Sequence, residues 1–520
     1  MPSLARDIAY DEELQNKLTE GAYKVYKVAK AAYGPGAGNA ILEINYGHPQ
    51  ISRDGVNNVR KVYLQDPIEN MAARTIVLAS ETSNRKVGDG TTAAVILSYH
   101  LYKEAQKLIS AGHNRMEVSR MIQDTGVQVV KQLDKMKKKV TPKLLRSVAR
   151  ISAGDEAIGD MIADTIEAVG VDGGITVEGF DGLGVYSEVV EGFYYRKGFT
   201  HEVMVSNPSA RESRIDNADI LITEKVMKSI GDIAPILDKI IQNSGKGSEL
   251  VIIGDIQDEA LAVLAENMSV GNIKVTLVGV PEVGQMRTLF MEDIATLTGG
   301  KVIMTGSNGS SFDIGMLGGA DKVIVNAYST SIIGGQGEKE DAEALIAQLR
   351  QELEESDNQI DLDVIRGRLS RITGKIVNVR VGGATPIERD ETKLRVDDAV
   401  CAVQAALRGG IVPGGGVALA HVDAGELSGA YIQLFVQLVE NAGYNTEKAL
   451  FKVQDNKNIW QGFNLRQKNF DYETINLIKA GVVDPALVIK EVVQGASSVV
   501  STLITTSVGI TYADRDMKND

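Results

Sequence analysis

The chain has 520 residues, 43% of them hydrophobic and 24% charged; that suffices for about three domains and excludes a mainly disordered protein. Asp and Glu number 69 against 55 Lys and Arg, so the net charge is -14 and the basic footprint of a dedicated DNA or RNA binder is missing. The single cysteine, Cys401, excludes an intrachain disulfide and fits a reducing compartment, so a cytoplasmic protein is expected.

Met1 to Leu14 carries Asp7, Asp11, Glu12 and Glu13 without an apolar core, so it does not read as a secretory signal. Residues 11–33 keep a 3.6-residue period through Leu14, Leu18, Ala22, Val25, Ala29 and Ala32, which predicts a helix stopped by Gly34-Pro35. A second helix opens at Asp66-Pro67, with Asp as cap and Pro in the first turn, and runs to about Asn84. A third starts at Thr91. Lys135 to Lys139 reads as a solvated boundary. The middle changes character. β-rich runs at Asp219–Thr223, Leu250–Ile253, Val275–Val280, Val302–Met304 and Val323–Val325 alternate with helical patterns at about 230–243, 258–268 and 287–297, as in an α/β domain. Leu345, Leu349 and Leu353, then Leu362, Ile365, Leu369 and Ile372, predict a helical hairpin turning near residues 356–359. A helix over Glu388–Leu407 stops at Gly409-Gly410, and further helices follow. The uncharged Val492–Ala513 run is interrupted by Gln494 and by a series of Ser and Thr, which favours a buried helix and strand over a membrane span. A β-containing centre between two helical ends suggests one helical domain with the middle inserted into it.

Five segments could carry chemistry. Gly88-Asp89-Gly90-Thr91-Thr92 stands at a helix start, where free N–H groups and the dipole favour an anion. Gly90 would let backbone approach a phosphate, and Asp89 could hold Mg²⁺, a cation that prefers oxygen ligands. An ordinary helix cap explains the same residues. Tyr33-Gly34-Pro35-Gly36-Ala37-Gly38-Asn39 and Ser52-Arg53-Asp54-Gly55 read equally as plain turns. In the 388–407 helix, Asp398 shares a face with Leu394, Cys401, Ala402 and Ala405, and a carboxylate on such an apolar face needs a partner. Gly414 to Gly416 marks a tight turn or a close backbone approach. The P-loop spacing and the HExxH pair are both missing, so nucleotide chemistry would need a different cradle and zinc hydrolysis is not expected.

Together these segments resemble the group I chaperonins, the GroEL type, over nearly the whole chain. The match rests on Gly88–Thr92, Ser52–Gly55, Ile151–Ala153, Asp293–Gly300, Val381–Thr385, Arg395–Ala399 and Gly410–Val417, in order and at spacing. The resemblance implies a multidomain α and α/β fold. A discontinuous helical equatorial domain would span 1–136 and 409–520, a small hinge-like intermediate domain 137–190 and 377–408, and an inserted α/β apical domain 191–376. It also implies Mg-ATP hydrolysis driving protein folding in seven-membered rings, usually two stacked, closed by a lid co-chaperonin. Unfolded or partly folded proteins would be the partners, with neither nucleic acid nor membrane.

By the same resemblance Asp89 would hold Mg²⁺, with Gly90, Thr91, Thr92 and Ala93 around the phosphates. Asp398 would activate the attacking water, assisted by Asp54 beside Arg53. Ala32, Tyr33, Gly34 and Pro35 would shape the phosphate side. Gly415 would approach the nucleoside, Asp484 would bond the ribose, and Asn464, with Leu465 and Arg466, would sit by the base. Clients would meet Phe199, Val203, Met204, Ala234, Leu237, Leu261, Ala265 and Glu266. The chain departs from the family pattern at several places. Ala32-Tyr33 replaces Thr-Leu, Ala93 replaces a third Thr, Arg53 replaces Lys, Gly36 and Gly38 replace basic residues, and a Gly-Gly-Met tail is missing. Glu266 puts a charge where the family has an aliphatic residue. The altered positions leave an ATPase-impaired holdase or scaffold as the alternative, and Asp89 and Asp398 alone would also allow a small-molecule kinase, though an acceptor-site motif is missing.

Overall fold

The computed structural model describes residues 6–43, 50–52, 55–169, 174–180, 182–207, 211–245, 247–307, 309–355, 359–467 and 470–512. Arg53, Asp54 and residues 356–358 of the turn expected near 356–359 lie outside the described residues. The chain forms two compact units. The first takes residues 1–164, 179–184 and 381–520; the second takes residues 165–178 and 185–380.

The first unit is helical. The Asp11–Ala31 helix buries the expected stripe, Leu14, Leu18, Ala22, Val25 and Ala29. The Pro67–Val87 helix is capped by Asp66, whose Oδ1 accepts the N–H groups of Ile68 and Glu69 at 2.8 and 3.0 Å. These two helices pack with Thr91–Ser110, Arg115–Met136 and Ala486–Leu503 around one core, in which Ile76, Ile96, Leu97, Leu101 and Val492 are fully buried. Ala486–Leu503 is long and apolar enough to cross a membrane, but more than half of it is buried against these neighbours. The helices Pro142–Ala153 and Pro386–Gly409 pack on each other. A two-stranded ribbon pairs Arg6–Tyr10 with Val508–Tyr512, Ile8 facing Ile510 and Tyr10 facing Val508. A buried strand was expected within 492–513; the one observed leaves Val508 and Ile510 exposed, and its pairing with Arg6–Tyr10 was not legible, because the strands are short and 498 positions separate their facing ends.

The second unit is built on a sheet of nine described strands. The order is Gly174–Gly179, Lys375–Val381, Val185–Tyr195, Thr330–Gly335, Gly318–Asn326, Glu212–Thr223, Ser248–Ile253 and Ile273–Val278, with Val302–Ile303 also on Glu212–Thr223. The strands 212–223, 248–253 and 273–278 run parallel, Ile220 opposite Val251 and Val251 opposite Thr276. Alternate residues of these strands enter two separate cores. Ile220, Ile222, Val251, Ile253 and Val278 join Phe290, Ile294, Leu349 and Ile365 on one face. Leu221, Leu250, Ile252, Val275 and Leu277 join Ile233, Leu237, Ile240 and Leu264 on the other. Cover on both faces explains why these strands read as unbroken apolar runs. The helical hairpin is present as Lys339–Glu355 and Gln359–Ile372.

Candidate nucleotide site

The site grows from three turns of the helical unit. Thr91–Ser110 begins after Gly90, whose φ of 77° is left-handed, and no side chain caps it. Its first N–H groups therefore lack intrahelical partners and face outward with the positive end of the dipole. A Cβ at Gly90 would stand 2.7 Å from Val492 Cγ2 and 2.8 Å from Val488 Cγ1, so the position demands glycine. Asp89 is fixed from two sides. Its Oδ1 accepts the Gly90 N–H at 2.6 Å, and its carbonyl accepts the Ser83 hydroxyl at 2.7 Å. Thr92 packs on Gly55, so the Gly55–Arg60 helix meets the same helix start.

The second turn is the glycine triplet. Ile411–Pro413 pairs with Val483–Pro485, Val412 opposite Asp484. Gly414 lies against Val483 and Gly416 against Phe435, where a Cβ would reach backbone at 2.7 Å. The middle glycine, Gly415, has φ 66°, and a Cβ there would meet only Val482 Cγ1, at 3.7 Å. The outer glycines therefore serve packing, while Gly415 borders open space and donates its N–H to Asp484 Oδ2 at 3.1 Å. The third turn, after Ala31, is held by Asn441, whose Nδ2 donates to the carbonyls of Lys30 and Tyr33 at 2.7 Å each. Gly34 packs under Leu438, and Gly36 touches the Asn441 carbonyl, so both need to be small.

Electrostatics bring the turns together. Burial pushes the Asp89 carboxyl up. Burial and then the Asp89 charge push Asp484 up to about 7, against N–H groups of Gly415 and Gly416 that pull it down. The Tyr33 hydroxyl is also pushed up, by burial and by Asp484 and Asp89. Two desolvated acids within each other's field, beside an uncapped helix start, form a place for a cation bridging an anion. Among the described residues no three His, Cys, Asp or Glu side chains cluster to hold a metal. A small cation here would use one or two carboxylates plus a ligand's own oxygens, the habit of Mg²⁺ beside phosphates.

Asp398 sits on the Pro386–Gly409 helix. That helix packs against Gln50–Ser52 and Val483–Pro485, and Cys401 presses on Gly88. Asp398, one turn before Cys401, therefore shares the helix face turned to the Gly88–Thr92 loop. Asn464 uses its Oδ1 to accept the Arg466 N–H at 3.1 Å. Leu465 is half-buried against a core that includes Phe463, and Arg466 donates to the Ile151 carbonyl at 3.2 Å. Ala93 is buried, Ala32 is half-buried and Pro35 is exposed. Ser83, Asn441 and the two valines were not expected; Asn441, Val488 and Val492 lie hundreds of positions from the turns they touch, and Ser83, six positions before Asp89, carries no motif signal, so only packing reveals them.

The expected client surface is only partly a surface. Met204 and Leu237 are buried at 3% and 2% exposure, beneath the sheet's second face, so they are core residues in this structure and not groove walls. Phe199, Ala234 and Leu261 are half-buried, Ala265 and Glu266 are exposed, and the Val203 side chain lies outside the description.

A helical unit interrupted by an α/β unit, with glycine turns gathered at an uncapped helix start in the helical part, defines the multidomain chaperonin architecture. The chain is similar in fold to the chaperonin gp146 from bacteriophage EL 2 (Pseudomonas aeruginosa), crystallised in the presence of ATP-BeFx. In crystal form II the identity is 16%, 99% of this chain and 100% of that one are covered, and the TM-score is 0.66. In form I the identity is again 16%, with 98% and 99% covered and a TM-score of 0.60. The model of the TCP-1/cpn60 chaperonin family matches residues 25–510, and the chain belongs to that family.

Proposed function

We propose that this chaperonin hydrolyses Mg-ATP and uses the cycle to capture and fold non-native proteins within a ring. The observation that carries the reading is the juxtaposition of Asp89 and Asp484, both with raised carboxyl pKa, beside the uncapped start of Thr91–Ser110. Asp89 would hold Mg²⁺, which when bound neutralises phosphate charge. The backbone of Gly90, Thr91, Thr92 and Ala93 would receive the phosphates, aided by the turn Ala32 to Pro35. Asp484 and Gly415 would meet the sugar, and Asn464, Leu465 and Arg466 the base. Asp398 would take the proton of the attacking water, with Asp54 and Arg53 beside it. We assign Asp398 to a hinge domain, 137–190 and 377–408, between equatorial and apical domains. Hydrolysis would then wait on closure of that hinge, coupling chemistry to motion.

Ring assembly is supported by an apolar face on the Arg6–Tyr10 and Val508–Tyr512 ribbon. Ile8, Tyr10, Val508 and Ile510 stand 50–61% exposed on it, while Ala9 is buried on the reverse. An uncovered ribbon of this kind invites a neighbouring chain. We take the particle to be group I in type, with seven-membered rings, usually two stacked, a separate lid protein and a cytoplasmic setting. Clients would bind the border of the Ile230–Ser244 and Asp258–Ser269 helices, at Ala234, Leu261, Ala265 and Glu266.

The test is Mg-dependent ATP hydrolysis by the size-fractionated particle, wild type beside Asp398→Ala. Turnover at ring mass, abolished by the substitution while ATP still binds, is the expected result. An intact ring without turnover would make the protein a holdase or scaffold. Turnover by a free monomer would overturn the ring reading.

A further inference from the structure

A second ligand site is built into the α/β unit. The Gln359–Ile372 helix carries Gly367 in its interior, where glycine weakens a helix relative to alanine. No described neighbour requires it. A Cβ there would find only Arg371 Nη1, at 3.9 Å, an ordinary contact distance. The room it leaves opens onto a cavity of about 380 Å³, within the size range of small-molecule sites.

The cavity has apolar walls and three charged side chains at its edge, Glu282, Arg368 and Arg371. Met286, Leu289, Phe290 and Val364 line it. Arg368 on its edge is already neutralised, since its Nη2 and Nε donate to the two oxygens of buried Asp293 at 2.6 and 3.1 Å. Arg371 is not so matched. Its guanidinium lies over the Phe290 ring, 5.2 Å from the centroid, and 3.6 Å from Glu282, beyond hydrogen-bond range. Its Nε is buried and makes no hydrogen bond. A buried donor left unmade is unfavourable, and an arginine fork is matched best by a planar carboxylate.

We propose that this cavity binds a small carboxylate with an apolar body, the carboxylate on Arg371 and the body against Met286, Leu289, Phe290 and Val364. Glu282 would be displaced from beside Arg371. The walls favour a single negative charge, because a dianion would lose more hydration than one guanidinium returns.

The experiment is calorimetric titration of the full chain with 3-phenylpropanoate and with its neutral amide. The acid should saturate one site per chain, and the amide should bind about tenfold more weakly or worse. Arg371→Gln should weaken the acid by the same factor and leave the amide unchanged. Gly367→Leu fills the cavity from a position with room and favours the helix. It should abolish binding of the acid without lowering the melting temperature. Absence of saturable binding, equal binding of acid and amide, or undiminished binding by a folded Gly367→Leu chain would each overturn the proposal.

Discussion

Replacing Asp484 by Asn tests the electrostatic argument at the centre of the proposed nucleotide site. Burial and the Asp89 charge raise this carboxyl from the ordinary 3.8 to about 7. An acid whose pKa rises on folding opposes the fold when it ionises. Its contribution is absent below about pH 4, where both states are protonated. Stability then falls as pH rises toward 7, because the unfolded chain has already released the proton, and above 7 the full cost is present. Three pH units at about 1.4 kcal/mol each give a cost of ~4 kcal/mol. Asn keeps an oxygen for the Gly415 N–H and removes the charge. Asp484→Asn should therefore stabilise the helical unit by about 2–4 kcal/mol at pH 8 without nucleotide, and by nothing near pH 4. The chain's single tryptophan, Trp460, is buried in that unit at 6% exposure, so its fluorescence in urea follows this unit. A variant no more stable than wild type at pH 8, or a gain that persists at pH 4, would refute the reasoning. Added Mg²⁺ should stabilise wild type at pH 8 and do so less in the variant.

Gly90→Ala must adopt a left-handed φ and move Val488 and Val492; it should lose about 2–3 kcal/mol by urea unfolding and most nucleotide binding. Gly415→Ala meets only Val482 at 3.7 Å and should lose about 1–2 kcal/mol, the conformational term alone; equal losses for the two would contradict the packing given above. Ile8→Lys with Ile510→Glu keeps a cross-strand pair in the ribbon but places charges in the middle of its apolar face, so sedimentation should show smaller particles with an unchanged helical spectrum. Exposed Glu266→Val should tighten capture of a denatured apolar client by about threefold to tenfold, and unchanged capture would remove this position from the client surface.

Much of the fold was legible because period and punctuation are local. The stripe Leu14 to Ala29, the Asp66-Pro67 cap and the stop at Gly409-Gly410 each follow from spacing within a few residues. The apolar stripe on residues 230–241 was legible as a helix, yet its role was not. Leu237 could face a client or a sheet, and only the neighbouring strands decide that it faces the sheet. The same holds for the glycines. The triplet Gly414 to Gly416 announced a close approach, but which glycine meets backbone and which meets open space depends on Val483 and Phe435.

The sequence by itself determined the helix and strand periods, the order of the motifs and the presence of acids beside the glycine-rich turns. Tertiary structure alone decided that Asp89 and Asp484, 395 positions apart, share one desolvated field, that Ser83 holds the turn carrying Asp89, and that Asn441 holds the turn after Ala31. It also decided that Gly367 faces a cavity. The reason is physical. Propensity and capping act over one or two turns of chain, whereas desolvation, charge coupling and close packing depend on distances that exist only once the chain has folded.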